Sequence, residues 1–337
     1  MKDHSSSMNR KPIWLLIVVS VGFALFGMVC SKAWNIFPTE TRAPYSFPNT
    51  DLVFSSNKGI GFVNADGTNL NYFPLTAKLP YGMENAAWRP VITGDNRTLI
   101  VKMSDRFMFV FEPHILVVWN TGELPVPCLQ WQNQQMAYLT TDQKQIFIAT
   151  KNGLALYDLN TCGKDTAPST IYESISGIPS PNLQYTVRTN RPSVIGDDDR
   201  FIVVRKLDGD QEQTIGVGDY PVWSRDSQQL AYIGRDGIYV YNVLEDSKPR
   251  LVVHYKNPYP YHESNALYEG GDSARVPPEI SWSSDGVWLA YHKWQGTSSS
   301  SGNDPAYNTI YKLNIKTGEE IKVVDGGMYP NWRWPAE

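Results

Sequence analysis

A strand-like segment that ends in Asn or Asp and a turn recurs six times along this chain, and nothing else in the sequence limits its fold as tightly. The copies are Gly59-Ile-Gly-Phe-Val-Asn-Ala-Asp-Gly67, Ile115-Leu-Val-Val-Trp-Asn-Thr-Gly122 and Gly153-Leu-Ala-Leu-Tyr-Asp-Leu-Asn160. Phe201-Ile-Val-Val-Arg-Lys-Leu-Asp-Gly209, Gly237-Ile-Tyr-Val-Tyr-Asn-Val-Leu244 and Thr309-Ile-Tyr-Lys-Leu-Asn-Ile-Lys-Thr-Gly318 complete the set. β-branched and aromatic residues at this density fit a pleated ribbon packed on both faces. The Asp-Gly, Thr-Gly or Asn endings tolerate the backbone of a tight reversal.

A second element precedes most copies. Pro221-Val-Trp-Ser-Arg-Asp-Ser-Gln-Gln-Leu-Ala-Tyr232 aligns without a gap on Ile280-Ser-Trp-Ser-Ser-Asp-Gly-Val-Trp-Leu-Ala-Tyr291. It reads as strand, turn, strand. The Trp covers a neighbouring sheet, Asp226 or Asp285 folds back on its own turn amides, and Leu-Ala-Tyr opens the return strand. Fainter copies are Trp88-Arg-Pro leading to Leu99-Ile-Val, and Trp131 leading to Met136-Ala-Tyr138, whereas Ser180-Pro-Asn-Leu-Gln-Tyr185 has lost its Trp.

The two elements are out of step at the ends. Leu52-Val-Phe54 opens the first copy with no Trp strand before it, and Tyr329-Pro-Asn-Trp-Arg-Trp334 is a Trp strand with nothing after it. Joining the last strand to the first repeat closes a ring and removes the exposed edges of an open sheet array. The expectation is an all-β, six-bladed β-propeller over 51–337, roughly 50 residues per blade, closed by pairing of the C-terminal strand with the N-terminal blade. The Pro-x-Trp-Ser-x-Asp-Gly, Leu-Ala-Tyr, Ile-Tyr-x-x-Asn and Thr-Gly series, clearest at 221–244 and 278–318, resembles the WD40-like repeat of TolB-type propellers. The resemblance covers about 51–334 and implies the propeller fold. TolB proteins carry an α/β domain ahead of the propeller, for which the 34–50 stretch leaves no room, so the resemblance is expected to stop at the propeller.

The first residues give an address. Lys2, Arg10 and Lys11 precede an uncharged run from Ile13 to Cys30. At ~1.5 Å per residue such a helix nearly spans the ~30 Å hydrocarbon layer. Basic residues stay on the cytoplasmic side. The expected layout is a cytoplasmic tail (1–12), one N-terminal transmembrane helix acting as a signal-anchor (13–33), an extended Pro-bearing linker (34–50) and an extracytoplasmic propeller, periplasmic or at the cell surface. Cleavage after Ala33 in Ser31-Lys32-Ala33, or lipidation at Cys30, are the alternatives; both leave the remainder outside the cytoplasm.

Reactive constellations are missing from the sequence. It has no Gly-x-Ser-x-Gly elbow, His-Glu-x-x-His, Walker loop or Cys-x-x-Cys. His114, His254, His262 and His292 lack ligand spacing, and His4 lies in the tail. Asp197-Asp-Asp199 could gather calcium, since hard cations want several carboxylates, but a solvated turn is the plainer reading. Cys128 and Cys162 are expected in one blade, the former entering its first strand and the latter following its third, at opposite ends of the sheet and farther apart than a disulfide allows; a bonded pair in an oxidising compartment is the alternative. Asn96-Arg-Thr98 is an N-glycosylation sequon. With 30 Lys+Arg against 34 Asp+Glu the charge is −4, which gives no footing for nucleic acid. The expectation is a non-enzyme with neither cofactor nor metal.

Two segments exceed what the repeat needs, residues 257–275 and 295–304, and insertions on a rigid scaffold are where recognition concentrates. Tyr259, Tyr261, His262, Glu263, Tyr268 and Arg275 in the first, with Trp294 beside the second, mix aromatic and charged groups suited to contact. The sequence therefore points to a membrane-anchored, protein-binding scaffold. A glycan-binding or glycan-processing propeller of the cell envelope is the alternative, because aromatic side chains also stack on sugars.

Overall fold

In the computed structural model, residues 46–335 are described except 75–86, 105–112, 121, 123–125, 133–136, 141–143, 151–152, 162–167, 174–176, 191–199, 210, 235, 246–247, 255–279 and 295–307. They form an all-β propeller built of four-stranded antiparallel sheets, six in number. The first sheet contains β1 (Leu52–Ser56), β2 (Gly59–Val63) and β3 (Asn71–Phe73). The second runs through β4 (Ala87–Ile92), β5 (Thr98–Ser104), β6 (Pro113–Asn120) and β7 (Val126–Gln132). The third is β8 (Ala137–Leu139), β9 (Gln145–Thr150), β10 (Gly153–Asp158) and β11 (Thr170–Glu173). The fourth is β12 (Ile178–Pro179), β13 (Tyr185–Asn190), β14 (Phe201–Lys206) and β15 (Glu212–Val217). The fifth is β16 (Asp219–Trp223), β17 (Gln229–Ile233), β18 (Gly237–Asn242) and β19 (Arg250–His254). The sixth is β20 (Ser281–Trp282), β21 (Trp288–Trp294), β22 (Asn308–Asn314) and β23 (Glu320–Asp325), after which β24 (Met328–Trp332) returns to the first sheet. The six repeat copies are the third strand of each sheet.

β24 pairs antiparallel with β1, Leu52 opposite Trp332, so the surplus Trp strand does complete the first blade. Neighbouring sheets touch in the order fourth, fifth, sixth, first, second, mainly through their first strands. The core lies between blades. Val187, Ile202 and Val204 of the fourth sheet close on Trp223, Leu230, Tyr232 and Tyr241 of the fifth. Leu52, Phe54 and Val63 of the first close on Ala290, Ile310 and Val324 of the sixth. Each such side chain, taken fully out of water, contributes about 1.5–3 kcal/mol, which is why both faces of every third strand are apolar.

One turn recurs between the first and second strands. Ser224 Oγ donates to Asp226 Oδ1 at 2.6 Å and accepts the Gln229 N–H at 2.9 Å, while the same Oδ1 accepts the Gln228 N–H at 3.0 Å. Ser283 and Asp285 repeat it, as do Thr93 with Asp95 and Ser180 with Asn182. The residue after the Asp or Asn is left-handed in each: Asn96 (φ 58°), Leu183 (φ 56°), Ser227 (φ 63°) and Gly286 (φ 66°). The side-chain cage repays the ~1–2 kcal/mol that this backbone costs a residue with a Cβ.

The register corrects two details of the sequence pattern. Trp131 belongs to β7, the fourth strand of the second sheet, and Ala137–Leu139 is the first strand of the third sheet rather than a return strand. Leu99, Ile146 and Thr186 stand where Leu230 and Leu289 do, so Ile92, Leu139 and Pro179 occupy the Trp place in the second to fourth sheets. Cys128 likewise falls in β7, not at the entry to a first strand, and Cys162 lies outside the described residues. The expected transmembrane segment, 13–33, is outside them too; among the described residues no helix is long and apolar enough to cross a membrane.

Candidate functional site

The ring has two unlike ends. The Ser/Thr-x-Asp/Asn turns occupy one, and strand direction puts the connections 74–86, 105–112, 191–200, 255–280 and 295–307 at the other. The chain enters at the turn end. Leu52 pairs with Trp332 there, and Phe47 is already buried, stacked on Phe62 at 5.9 Å and edge-on to Phe73 at 5.7 Å. The packed body thus begins within the expected linker.

At the loop-bearing end, Asp219 ties the fourth sheet to the fifth. Its buried carboxylate accepts from Thr189 Oγ1 at 3.1 Å, from the Tyr220 N–H at 2.9 Å and from the Arg200 guanidinium. An ion pair so enclosed stays in place because removing either partner strands the other charge.

His292, 2 % exposed, lies between the sixth sheet and β24. Its Nδ1 accepts the Tyr329 N–H at 3.3 Å, and its ring meets the Tyr329 ring edge-on at 5.3 Å. Tyr329 (φ 51°) and Tyr220 (φ 54°) each precede a proline at a bulge in a first strand. The left-handed backbone turns both rings into the crevices between blades, Tyr329 onto His292 and Tyr220 onto the cluster shared by the fifth and sixth sheets.

Close by in the fifth sheet, Tyr232 and Tyr239 stack at 5.4 Å, and Tyr239 Oη donates to Asp236 Oδ1 at 2.6 Å. Burial raises both phenols, Tyr239 to about 12. These shifts run away from neutrality, the wrong direction for a general acid or base. In the sixth sheet, Lys322 and then Thr309 hold the Asp325 carboxyl below its usual range. Among the described residues no three His, Cys, Asp or Glu side chains gather to hold a metal ion.

Of the residues singled out from sequence, Tyr259, Tyr261, His262, Glu263, Tyr268 and Arg275 lie outside the described residues, as do Asp197–Asp199. Trp294 is the last residue of β21 and pairs with Asn308. Its backbone therefore sits at the loop-bearing end, the same end to which His254 and Ile280, flanking the 255–279 connection, bring the chain. Asp219, Thr189 and Arg200 escaped the sequence pattern because they come from β16, β13 and the residue before β14, three separate segments.

No family model matches the chain, and no curated protein matches it in sequence. Solved structures do match in shape. TolB from Acinetobacter baumannii superposes with a TM-score of 0.53 at 12% identity, over 84% of this chain and 65% of that one. In fold, this is a TolB-like propeller. An oligogalacturonate lyase in complex with manganese gives a TM-score of 0.40 at 13% identity, over 77% of this chain and 72% of its own. The tricorn protease gives 0.34 at 14% identity, over 84% of this chain and 31% of that one. The TolB-like body accounts for the repeat, the closure and the two unlike ends; at these identities the likeness is one of fold alone.

Proposed function

We propose that the chain is a membrane-anchored, extracytoplasmic scaffold that binds a protein partner at the loop-bearing end of its propeller, without catalysis. The observation that carries this is the polarity of the ring: Phe47–Thr50 enter at the turn end, while the 255–279 and 295–307 connections leave from the other. A tether from 13–33 would hold the turn end toward the bilayer and present the long connections outward, where a partner reaches them. The buried groups at that end support a binding role. Asp219, Arg200 and Thr189 are committed to one another, and the Tyr232 and Tyr239 phenols hold their protons.

The test is a pull-down from solubilised membranes using the full chain and a form lacking 257–275. Loss of a partner on deletion supports the scaffold; undiminished recovery sinks it. A hydrolysis and lyase screen on envelope glycans and acidic oligosaccharides, with turnover abolished by one Asp or Glu substitution, would overturn the non-catalytic role.

A further inference from the structure

β24 is the one first strand that reaches its sheet from the far end of the chain, so its pairing with β1 closes a loop of nearly the whole sequence. Such closure draws no help from a connecting turn and carries the full loop entropy. The first strands of the second, fourth, fifth and sixth sheets are held by the Ser/Thr-x-Asp/Asn cage; β24 ends instead in Arg333, at the place of Ser224 and Ser283. The Arg333 N–H donates to the Asp51 carbonyl at 2.9 Å, as Ser224 does to Gln229 and Ser283 to Trp288.

The missing half of the turn comes from the other end of the chain. Arg333 Nη1 donates to Asn49 Oδ1 and, at 2.7 Å, to Asn96 Oδ1 of the second sheet. Asn96 Nδ2 donates to Asn49 Oδ1 at 3.3 Å, and the Phe47 N–H to the Asn96 carbonyl at 3.3 Å. Phe47 then fills the space between Phe62 and Phe73.

The same junction lacks one bond that its counterparts have. Trp223 Nε1 donates to the Ile178 carbonyl and Trp282 Nε1 to the Val222 carbonyl, both at 3.0 Å. Trp332 stands at the equivalent place, yet among the described residues its buried Nε1 has no hydrogen-bond partner. Trp334 substitutes partly, donating to the Trp282 carbonyl at 3.1 Å. An indole N–H buried without an acceptor costs about 1–3 kcal/mol.

We infer that the ring opens first at the β24–β1 junction and that Phe47 and Asn49, with Arg333, form the strap that locks it. Release of Phe47 and Asn49 from the turn end would loosen the seam while the other blades stay closed. The strap thereby links the N-terminal segment to the closure of the ring.

Hydrogen exchange on the full chain tests this. In the unaltered protein, amides of β24 exchange ahead of those in β16 and β17; the reverse order overturns the inference. Phe47→Ala, Asn49→Ala and Arg333→Ala each speed β24 and β1 exchange by roughly tenfold or more while β17 and β18 keep their rates. Equal acceleration everywhere, or none at the seam, rejects the strap. Arg333→Lys, which keeps the charge but not the forked geometry, gives an intermediate rate; a rate equal to that of Arg333→Ala leaves the fork as the essential feature, and a rate equal to the unaltered protein's rejects it.

Discussion

The Trp282 indole N–H donates to the Val222 carbonyl at 3.0 Å, across the boundary between the sixth and fifth sheets. The indole is buried and Val222 half-buried, so the bond matters chiefly through what its removal leaves behind. Trp282→Phe should cost about 1–3 kcal/mol by stranding the Val222 carbonyl and thinning the packing. Trp332→Phe removes a donor that has no acceptor among the described residues and should cost measurably less. Denaturant midpoints of the two variants decide this; equal losses would contradict the assignment.

The turn cages predict which side chains interchange. Ser283 Oγ lies 2.5 Å from Asp285 Oδ1 and accepts the Trp288 N–H, so Ser283→Ala should lower stability by about 1–2 kcal/mol. Thr93 makes the same contacts in the second sheet, and Ser283→Thr should stay within about 0.5 kcal/mol of the parent. Thermal unfolding of the pair, with Ser224→Ala as a repeat of the first, tests the cage as a unit.

Two glycines should respond in opposite ways to the same methyl group. A Cβ on Gly216 would lie 2.3 Å from Tyr232 Oη, whereas one on Gly209 meets nothing within 4 Å. Tyr232 is buried and stacked, so Gly216→Ala should destabilise by about 1–3 kcal/mol. Gly209→Ala should be neutral or gain a few tenths of about 1 kcal/mol through the unfolded chain. Comparable losses at both sites would refute the close approach.

Alkaline pH should act on the tyrosine pair. Tyr239 is raised from 10.0 to about 12 by burial and by its bond to Asp236. A phenol whose folded value lies above its unfolded one contributes stability that is complete below pH 10 and fades as pH climbs through about 12. Unfolding midpoints measured from pH 9 upward should therefore fall, and Tyr239→Phe should flatten that fall. Absorbance near the phenolate band should show one fewer late-titrating group in the variant. An unchanged alkaline profile would count against the buried stack.

Much of the architecture was legible because it is written as periodicity. The third strand of each sheet carries apolar residues on both faces, as at Val240 and Tyr241 or Ile310 and Leu313, and no surface strand needs that. Closure was legible from counting alone, since Trp332 had no return strand and Leu52 no leading one. The second and third sheets were harder. Where Ile92 and Leu139 replace the bulky Trp, the most visible indole nearby, Trp131, sits on a fourth strand instead. The spacing of Ser224 to Asp226 corrects this, because Thr93 to Asp95 and Thr140 to Asp142 keep it in the second and third sheets.

Nothing periodic announces Phe47, Asn49 or the Asp219–Arg200–Thr189 group. The Asn49 contact depends on the two chain ends meeting, and the Asp219 group on the docking of the fourth sheet against the fifth. The proposed binding residues rest on composition, and of these Trp294 alone has a backbone position, at the end where the long connections emerge.

Arg333 and Asn49 complete a single turn from opposite ends of the polypeptide. A circularly permuted gene, with a short linker joining 335 to 46 and new termini near Gly209, would encode all the same neighbours. It would turn the one intermittent joint into a covalent hairpin and move the weak point to the fourth sheet. Comparing the two connectivities would separate what the break in the chain contributes to the seam from what the Arg333 turn and the Trp332 indole contribute.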